Sequence, residues 1–236
     1  MPATTPHPPG AVLLVHGAHH GAWCWRRVSD GLASRGVRGE ALELPLTSYA
    51  DDVAAVRSAV DRLRRSGPLV VVAHSYSGVV VADAAHGASR LVFVAARLPL
   101  PGESQTALTP SWHGEGMREA VTVGDDGWVH PTPAARDAFY HDCPDEVATD
   151  AVSRLRPMRS AVPAEPLAEP AWITTPTAYV VCRRDRVVRV DRQRERAARA
   201  GEQYELDCGH SPFLAVPDEL ATLLTAQERR TRAATT

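Results

Sequence analysis

Ser75, Asp185 and His210 supply a hydroxyl, a carboxylate and an imidazole, in that order along the chain. A serine hydroxyl is a weak nucleophile at neutral pH. An imidazole held against it takes its proton, and a carboxylate behind the ring fixes the tautomer and stabilises the cation that forms. The chemistry open to such a set is attack on a carbonyl through a covalent acyl intermediate. Each of the three follows a strand-like run: 69–72 (LVVV) before Ser75, 177–182 (TAYVVC) before Asp185 and 202–207 before His210. In an open parallel sheet the carboxyl ends of the strands share one edge, where sites form.

The stretch around Ser75 is the most informative. A β-branched run buried on both faces leads into a turn with Ser75 at its tip, then into an amphipathic helical pattern from Gly78. That is the layout of a nucleophile elbow, whose turn needs small neighbours because strand and helix approach closely. The usual Gly-x-Ser-x-Gly reads Ala73-His74-Ser75-Tyr76-Ser77-Gly78 here, so the next smallest residues replace both flanking glycines. A serine in an ordinary strand–helix loop is the bland alternative, and the ordered acid and histidine weigh against it. Asp191 is a rival acid, but its pattern places it on a helix. His74 and Ser77 adjoin the nucleophile with side chains directed away from its tip, His74 reading as a hydrogen-bonded packing residue. Ala96, after the strand 90–95, offers no carboxylate.

The elements that must position these residues follow in order. After a Pro-rich segment (1–10) read as a disordered tail, 11–15 (AVLLV) is a buried strand ending in His16-Gly17-Ala18-His19-His20-Gly21. Its two glycines can present backbone N–H groups to an oxyanion. His16, His19, His20 and Cys24 lack metal-site spacing, so no metal is expected. Trp23 and Trp25 read as core at a helix start spanning 23–34. A strand at 37–44, a helix capped by Ser48 and running to about 66, and a strand at 90–95 complete a β-α-β-α-β-α-β order. This predicts an α/β fold with a mostly parallel sheet and right-handed crossovers. Prolines then punctuate 98–170, with helical patterns at 133–141 and 145–155. That segment reads as a mainly helical lid between the core parts 11–97 and 171–228, and its Trp112, Trp128, Phe139 and Tyr140 argue against a disordered linker. A helix at 190–200, a closing helix at 218–227 and a frayed tail at 229–236 end the chain.

Bulk properties set limits. A chain of 236 residues with 44% hydrophobic and 23% charged residues suits one globular domain. Its net charge of -2 excludes nucleic-acid binding by overall basicity. All 26 basic residues are Arg, so Schiff-base chemistry through Lys is excluded. The eight Arg from 183 to 199 are interrupted by Asp185, Asp191 and Glu195 and read as a solvated face. Cys24, Cys143, Cys182 and Cys208 have no CxxC spacing and read as reduced packing residues. With no signal-like or membrane-spanning apolar run, the expected setting is cytoplasmic, and the expected partner is a small molecule, with the chain a monomer or homodimer.

Five segments carry a family resemblance: LVHGAHHGAWCW (14–25), VVVAHSYSG (70–78), FYHDCPDE (139–146), TAYVVCRRD (177–185) and CGHSPFLAVPDEL (208–220). The chain resembles α/β-hydrolases of the group containing plant methylesterases, hydroxynitrile lyases and bacterial pyrethroid-hydrolase-like esterases. The resemblance implies a sheet of about six strands with helices on both faces. It implies Ser75 as nucleophile, His210 as base, Asp185 as its acid, and the N–H groups of Ala18 and Tyr76 as oxyanion hole. No cofactor is implied. Lyases of the group have Thr at the position of Gly17 and Lys at that of Ser211, so this chain falls on the esterase side. Gly17, His19, Trp112, Trp128, Phe139, Tyr140 and Ser211 are the candidates for the substrate pocket. The expected reaction is cleavage of a carboxylic ester, lactone or thioester of a small, largely apolar molecule. A lyase, cyclase or dehydratase using the same residues, and a ligand-binding protein on this scaffold, are the alternatives.

Overall fold

The computed structural model describes residues 10–103, 105–159 and 165–234. Of the expected disordered tail, 1–9 lie outside the described residues, and Gly10 is buried. Strand β1 (Ala11–Val15) leads through a 3-10 turn to helix α1 (Arg26–Ser34) and strand β2 (Arg38–Leu42). Helix α2 (Tyr49–Leu63) is capped by Ser48, whose side chain accepts from the Asp51 N–H, one of the amides a helix start leaves unpaired. Strand β3 (Leu69–His74), helix α3 (Ser77–Ala84) and strand β4 (Arg90–Val94) follow.

The inserted segment carries helices α4 (Gln105–Trp112) and α5 (Met117–Ala120), strands β5 (Val121–Val123) and β6 (Val129–Pro131), and helices α6 (Ala135–Tyr140) and α7 (Asp145–Ser153). β5 and β6 form an antiparallel hairpin, which the expectation of a mainly helical insertion did not include. Strand β7 (Thr177–Cys182), helix α8 (Val190–Ala197), strand β8 (Glu202–Leu206) and helices α9 (Pro212–Ala215) and α10 (Pro217–Ala233) complete the chain. The expected frayed tail at 229–236 is corrected: α10 continues to Ala233, and Glu228 and Thr231 are buried on it.

The main sheet has six strands in the order β2-β1-β3-β4-β7-β8, every pair parallel. Its alternation of side chains divides the core. Val12, Leu14, Val70, Val72, Val92 and Val94 face α1, α10 and part of the inserted segment. Leu13, Val15, Leu69, Val71, Leu91 and Phe93 face α2 and α3. Central strands are buried on both sides, which is why they read as unbroken apolar runs rather than alternating ones. The register aligns Val15 with Ala73, His74 with Val94 and Cys182 with Leu206, so the strand ends form one rim.

At that rim the elbow is held by neighbours on all sides. Ser75 has φ +54, a left-handed conformation that costs a non-glycine residue roughly 1–3 kcal/mol. Its N–H donates to Val94 O (3.2 Å), while Arg97 N–H donates to Ser75 O (3.2 Å). The buried Ser77, standing where the motif has glycine, has a role of its own. Its Oγ accepts from His74 N–H (2.9 Å) and lies 3.0 Å from Val15 O and 2.9 Å from His74 O. The close approach that demands glycine falls one residue later: a Cβ on Gly78 would stand 2.1 Å from Arg97 O.

Candidate active site

The three distant side chains meet. His210 Nε2 lies 3.1 Å from Ser75 Oγ, and His210 Nδ1 lies 2.8 Å from Asp185 Oδ2. A carboxylate only accepts, so Nδ1 carries the proton, and the Nε2 lone pair faces the serine. Asp185 and His210 are buried, whereas Ser75 is partly open. Asp191, the rival acid, is exposed and paired with Arg189.

Asp185 has a complete set of donors. Oδ1 accepts from Val187 N–H (2.7 Å) and Val188 N–H (2.9 Å), and Oδ2 accepts from Gln193 Nε2 (2.8 Å) as well as from His210. Gln193 was not singled out in the sequence. It lies on α8, buried, with its Oε1 accepting from Cys182 N–H (2.9 Å), so one amide ties the end of β7 to the carboxylate. Gln193→Leu would strand both partners, and leaving a buried polar group unpaired costs about 1–3 kcal/mol. The expected result is a loss of that size in urea unfolding, with kcat about tenfold lower at little change in KM. Unaltered kcat would remove Gln193 from the positioning of Asp185.

The loop after β1 is fixed by its own histidines. His16 Nδ1 donates to Gly17 O (2.8 Å) and His20 Nδ1 donates to Ala18 O (2.7 Å). In a trans peptide the N–H points opposite the preceding carbonyl. Holding Gly17 O toward His16 therefore turns the Ala18 N–H the other way. His16 Nε2 accepts from Leu44 N–H (3.0 Å), and His20 Nε2 accepts from the Tyr140 hydroxyl (2.8 Å). Burial lowers the pKa of His16 to about 4 and that of His20 to about 3, so both are neutral near pH 7. Both nitrogens of His16 and of His20 are thus engaged in hydrogen bonds. Among the described residues no group of three or more His, Cys, Asp or Glu is placed to hold a metal ion.

Tyr76, the second residue implied in the oxyanion hole, precedes α3, and its hydroxyl donates to Asp52 Oδ2 (2.7 Å). Its backbone stands at a helix N-terminus, where N–H groups and the helix dipole favour negative charge. His74 is buried beneath the elbow, donating from Nε2 to His210 O (2.8 Å), its ring 4.6 Å from that of His210. Burial, then the neighbouring His210, hold its pKa well below the usual histidine range.

The pocket candidates have diverse surroundings. Gly17 lies against Ser75: a Cβ there would stand 2.8 Å from His74 Nδ1 and 3.0 Å from Ser75 Cβ. Ser211 is buried beside His210 with no hydrogen-bond partner for its Oγ among the described residues. The Phe139 ring tilts against His210 at 6.0 Å. Tyr140 and His19 brace the loop after β1, the first through His20 and the second through Nδ1 to Arg156 O (3.0 Å). Trp112 is buried against the Arg196 guanidinium at 5.4 Å, and Trp128 is half-buried at the start of the hairpin's second arm.

The inserted segment grips both the loop after β1 and the loop that carries His210. Arg156 donates to His20 O and Leu44 O and pairs with Glu43 (2.5 Å). Asp142 Oδ2 accepts from Gly209 N–H (2.6 Å), directly before His210. The sequence signal for these contacts was the FYHDCPDE segment, quoted for resemblance but without a role.

Known proteins share this chain's sequence pattern and fold. A family model described as "Alpha/beta hydrolase family" matches residues 12–223. The chain is 26% identical over 239 residues to "Alpha/beta hydrolase nvfD" of Aspergillus novofumigatus, covering 91% of this chain and 94% of that protein. It is 29% identical over 219 residues to "Methylesterase 2" of Arabidopsis thaliana, covering 77% and 81%. Its fold is shared with a pyrethroid hydrolase from Sphingobium faniae JZ-2, with a TM-score of 0.80 at 20% identity, covering 93% of this chain and 98% of that one. With a buried parallel sheet, its carboxyl rim and a match across most of its length, the chain belongs to the alpha/beta hydrolase family.

Proposed function

We propose that this hydrolase cleaves a carboxylic ester of a small molecule through an acyl-enzyme on Ser75. The observation that carries the reading is the unbroken relay from Ser75 Oγ through His210 to Asp185. His210 takes the hydroxyl proton as Oγ attacks the carbonyl. Asp185 holds the Nδ1–H tautomer and stabilises the imidazolium without taking the proton. The Ala18 and Tyr76 N–H groups bind the oxyanion, a contribution of roughly 2.7–4 kcal/mol per donor in enzymes where it has been measured. His210 returns the proton to the leaving alcohol, then activates a water that releases the acid. Gly17 suits this route, since a branched side chain there would collide with Ser75 and His74.

The test is a panel of methyl and p-nitrophenyl esters followed from the first turnover. A burst of alcohol matching the enzyme concentration, and a mass increase equal to the acyl group on the peptide bearing Ser75, are the expected results. Turnover of a β-keto or hydroxynitrile substrate without any acyl adduct would favour the lyase-type alternative.

A further inference from the structure

Arg97 stands at the end of β4, directly beside the nucleophile: its N–H donates to Ser75 O at 3.2 Å. Its head extends to the inserted segment, donating from Nη1 to Thr109 Oγ1 (2.9 Å) and reaching His113 Nε2 at 3.5 Å. His113 pairs through its backbone with Val188, whose N–H binds Asp185. Its backbone therefore ties Arg97 to the nucleophile loop, while its head reaches the part of the inserted segment that pairs with the acid loop.

Among the described residues this arginine has no counter-ion: no carboxylate lies within ion-pair distance of it. The residues outside the description, 1–9, 104, 160–164 and 235–236, include no Asp or Glu side chain. Three other arginines with part-buried or buried heads are paired, Arg90 with Glu202, Arg156 with Glu43 and Arg196 with Glu103, whereas Arg35 makes only neutral hydrogen bonds. Burial lowers the Arg97 pKa only to about 10, so it stays charged. Withdrawing a charge from water without a partner is unfavourable, which is a reason to expect one from outside the chain.

We infer that Arg97 is a recognition site for a carboxylate on the substrate, so that the preferred ester is a half-ester of a dicarboxylic acid or a comparable anionic ester. This rests on the ester-hydrolase reading above and names its substrate class. Two of the five guanidinium N–H groups are engaged by Thr109 and His113, leaving an edge for a planar oxyanion. A carboxylate fits better than a phosphate. His113, with a pKa lowered to about 4 by burial and then by Arg97, adds no second positive charge near neutrality.

The experiment compares monomethyl esters of dicarboxylic acids, succinate to suberate, with methyl esters of the matching monocarboxylic acids. Methanol release is followed for the wild type, Arg97→Met and Arg97→Lys. The wild type is expected to favour the best half-ester by about tenfold or more in kcat/KM, chiefly through KM. The ratio should fall to about one in Arg97→Met and return in part in Arg97→Lys. The ratio is the readout because partial misfolding lowers both rates alike. Equal rates on both series, or an unchanged ratio in Arg97→Met, would overturn the inference while leaving ester hydrolysis intact. Calorimetry with the non-hydrolysable monoamides reads the site if no ester turns over. Binding weakened in Arg97→Met then supports the anion site, and absent or unchanged binding refutes it.

Discussion

Ser75→Ala is expected to lower ester turnover by about a millionfold and to abolish covalent labelling by a fluorophosphonate. The change is small sterically. Alanine keeps the Cβ, so the backbone at φ +54 bears a similar strain before and after. Asp185 keeps its four donors, with His210 among them. What disappears is the one atom that faces the Nε2 lone pair. The melting temperature should shift by little, so the lost rate reads as lost chemistry. Residual turnover should stay above that of water, because the oxyanion donors and the pocket remain. Ser77 cannot substitute: it is buried, and its hydroxyl is committed to the backbone of Val15 and His74. Labelling that persists in the variant would place the nucleophile on another residue.

The relay was legible in sequence because each member follows a strand whose composition announces itself. LVVV and TAYVVC can only be buried runs, and the parallel order then brings their ends to one rim. The residues that hold the relay were not legible. Gln193 is one polar residue in an Arg-rich helix, and only the packing of α8 against β7 turns it toward Asp185. Tyr140 and Asp142 are more than a hundred and nearly seventy residues from the groups they bind, His20 and Gly209. No local spacing encodes such a pairing. The hairpin escaped because its arms, VTV and VHP, are three residues each. The charged end of α10 suggested fraying, yet Arg230 there pairs with Glu202 and Thr231 is buried. The basic run from 183 to 199 is likewise dispersed: Arg183 and Arg184 pair with Asp207, Arg186 with Asp137, Arg189 with Asp191 and Arg194 with Glu205. Ion pairing on that scale leaves little field for a polyanion.

Acid should weaken this fold well before its carboxylates titrate. His16, His20 and His74 are buried, with folded pKa values of about 4, about 3 and well below 6.5. In the unfolded chain each titrates near 6.5. The unfolded state therefore binds more protons between those limits, and stability falls as pH drops below about 6.5. At pH 5 the loss is about 2 kcal/mol each for His16 and His20, or about 4 kcal/mol for the two, with His74 acting in the same direction, against a typical total of about 5–15 kcal/mol. Glu228, with its pKa raised by burial, acts in the opposite sense, but it is a single group. The cost is concentrated at the working rim. Protonating His20 at Nε2 replaces the acceptor of the Tyr140 hydroxyl with a second donor, and His20 carries the Ala18 carbonyl on its other nitrogen. Urea midpoints measured at pH 7, 6 and 5 should fall steadily at constant m, with esterase activity lost over the same range. His20→Asn removes one of the titrating rings and should shrink the drop at pH 5 by about 2 kcal/mol, although its midpoint at pH 7 will be lower. Midpoints that stay level from pH 7 to 5 would mean that these rings are not held neutral, and the acceptor role given to His20 Nε2 toward the Tyr140 hydroxyl would have to be reversed.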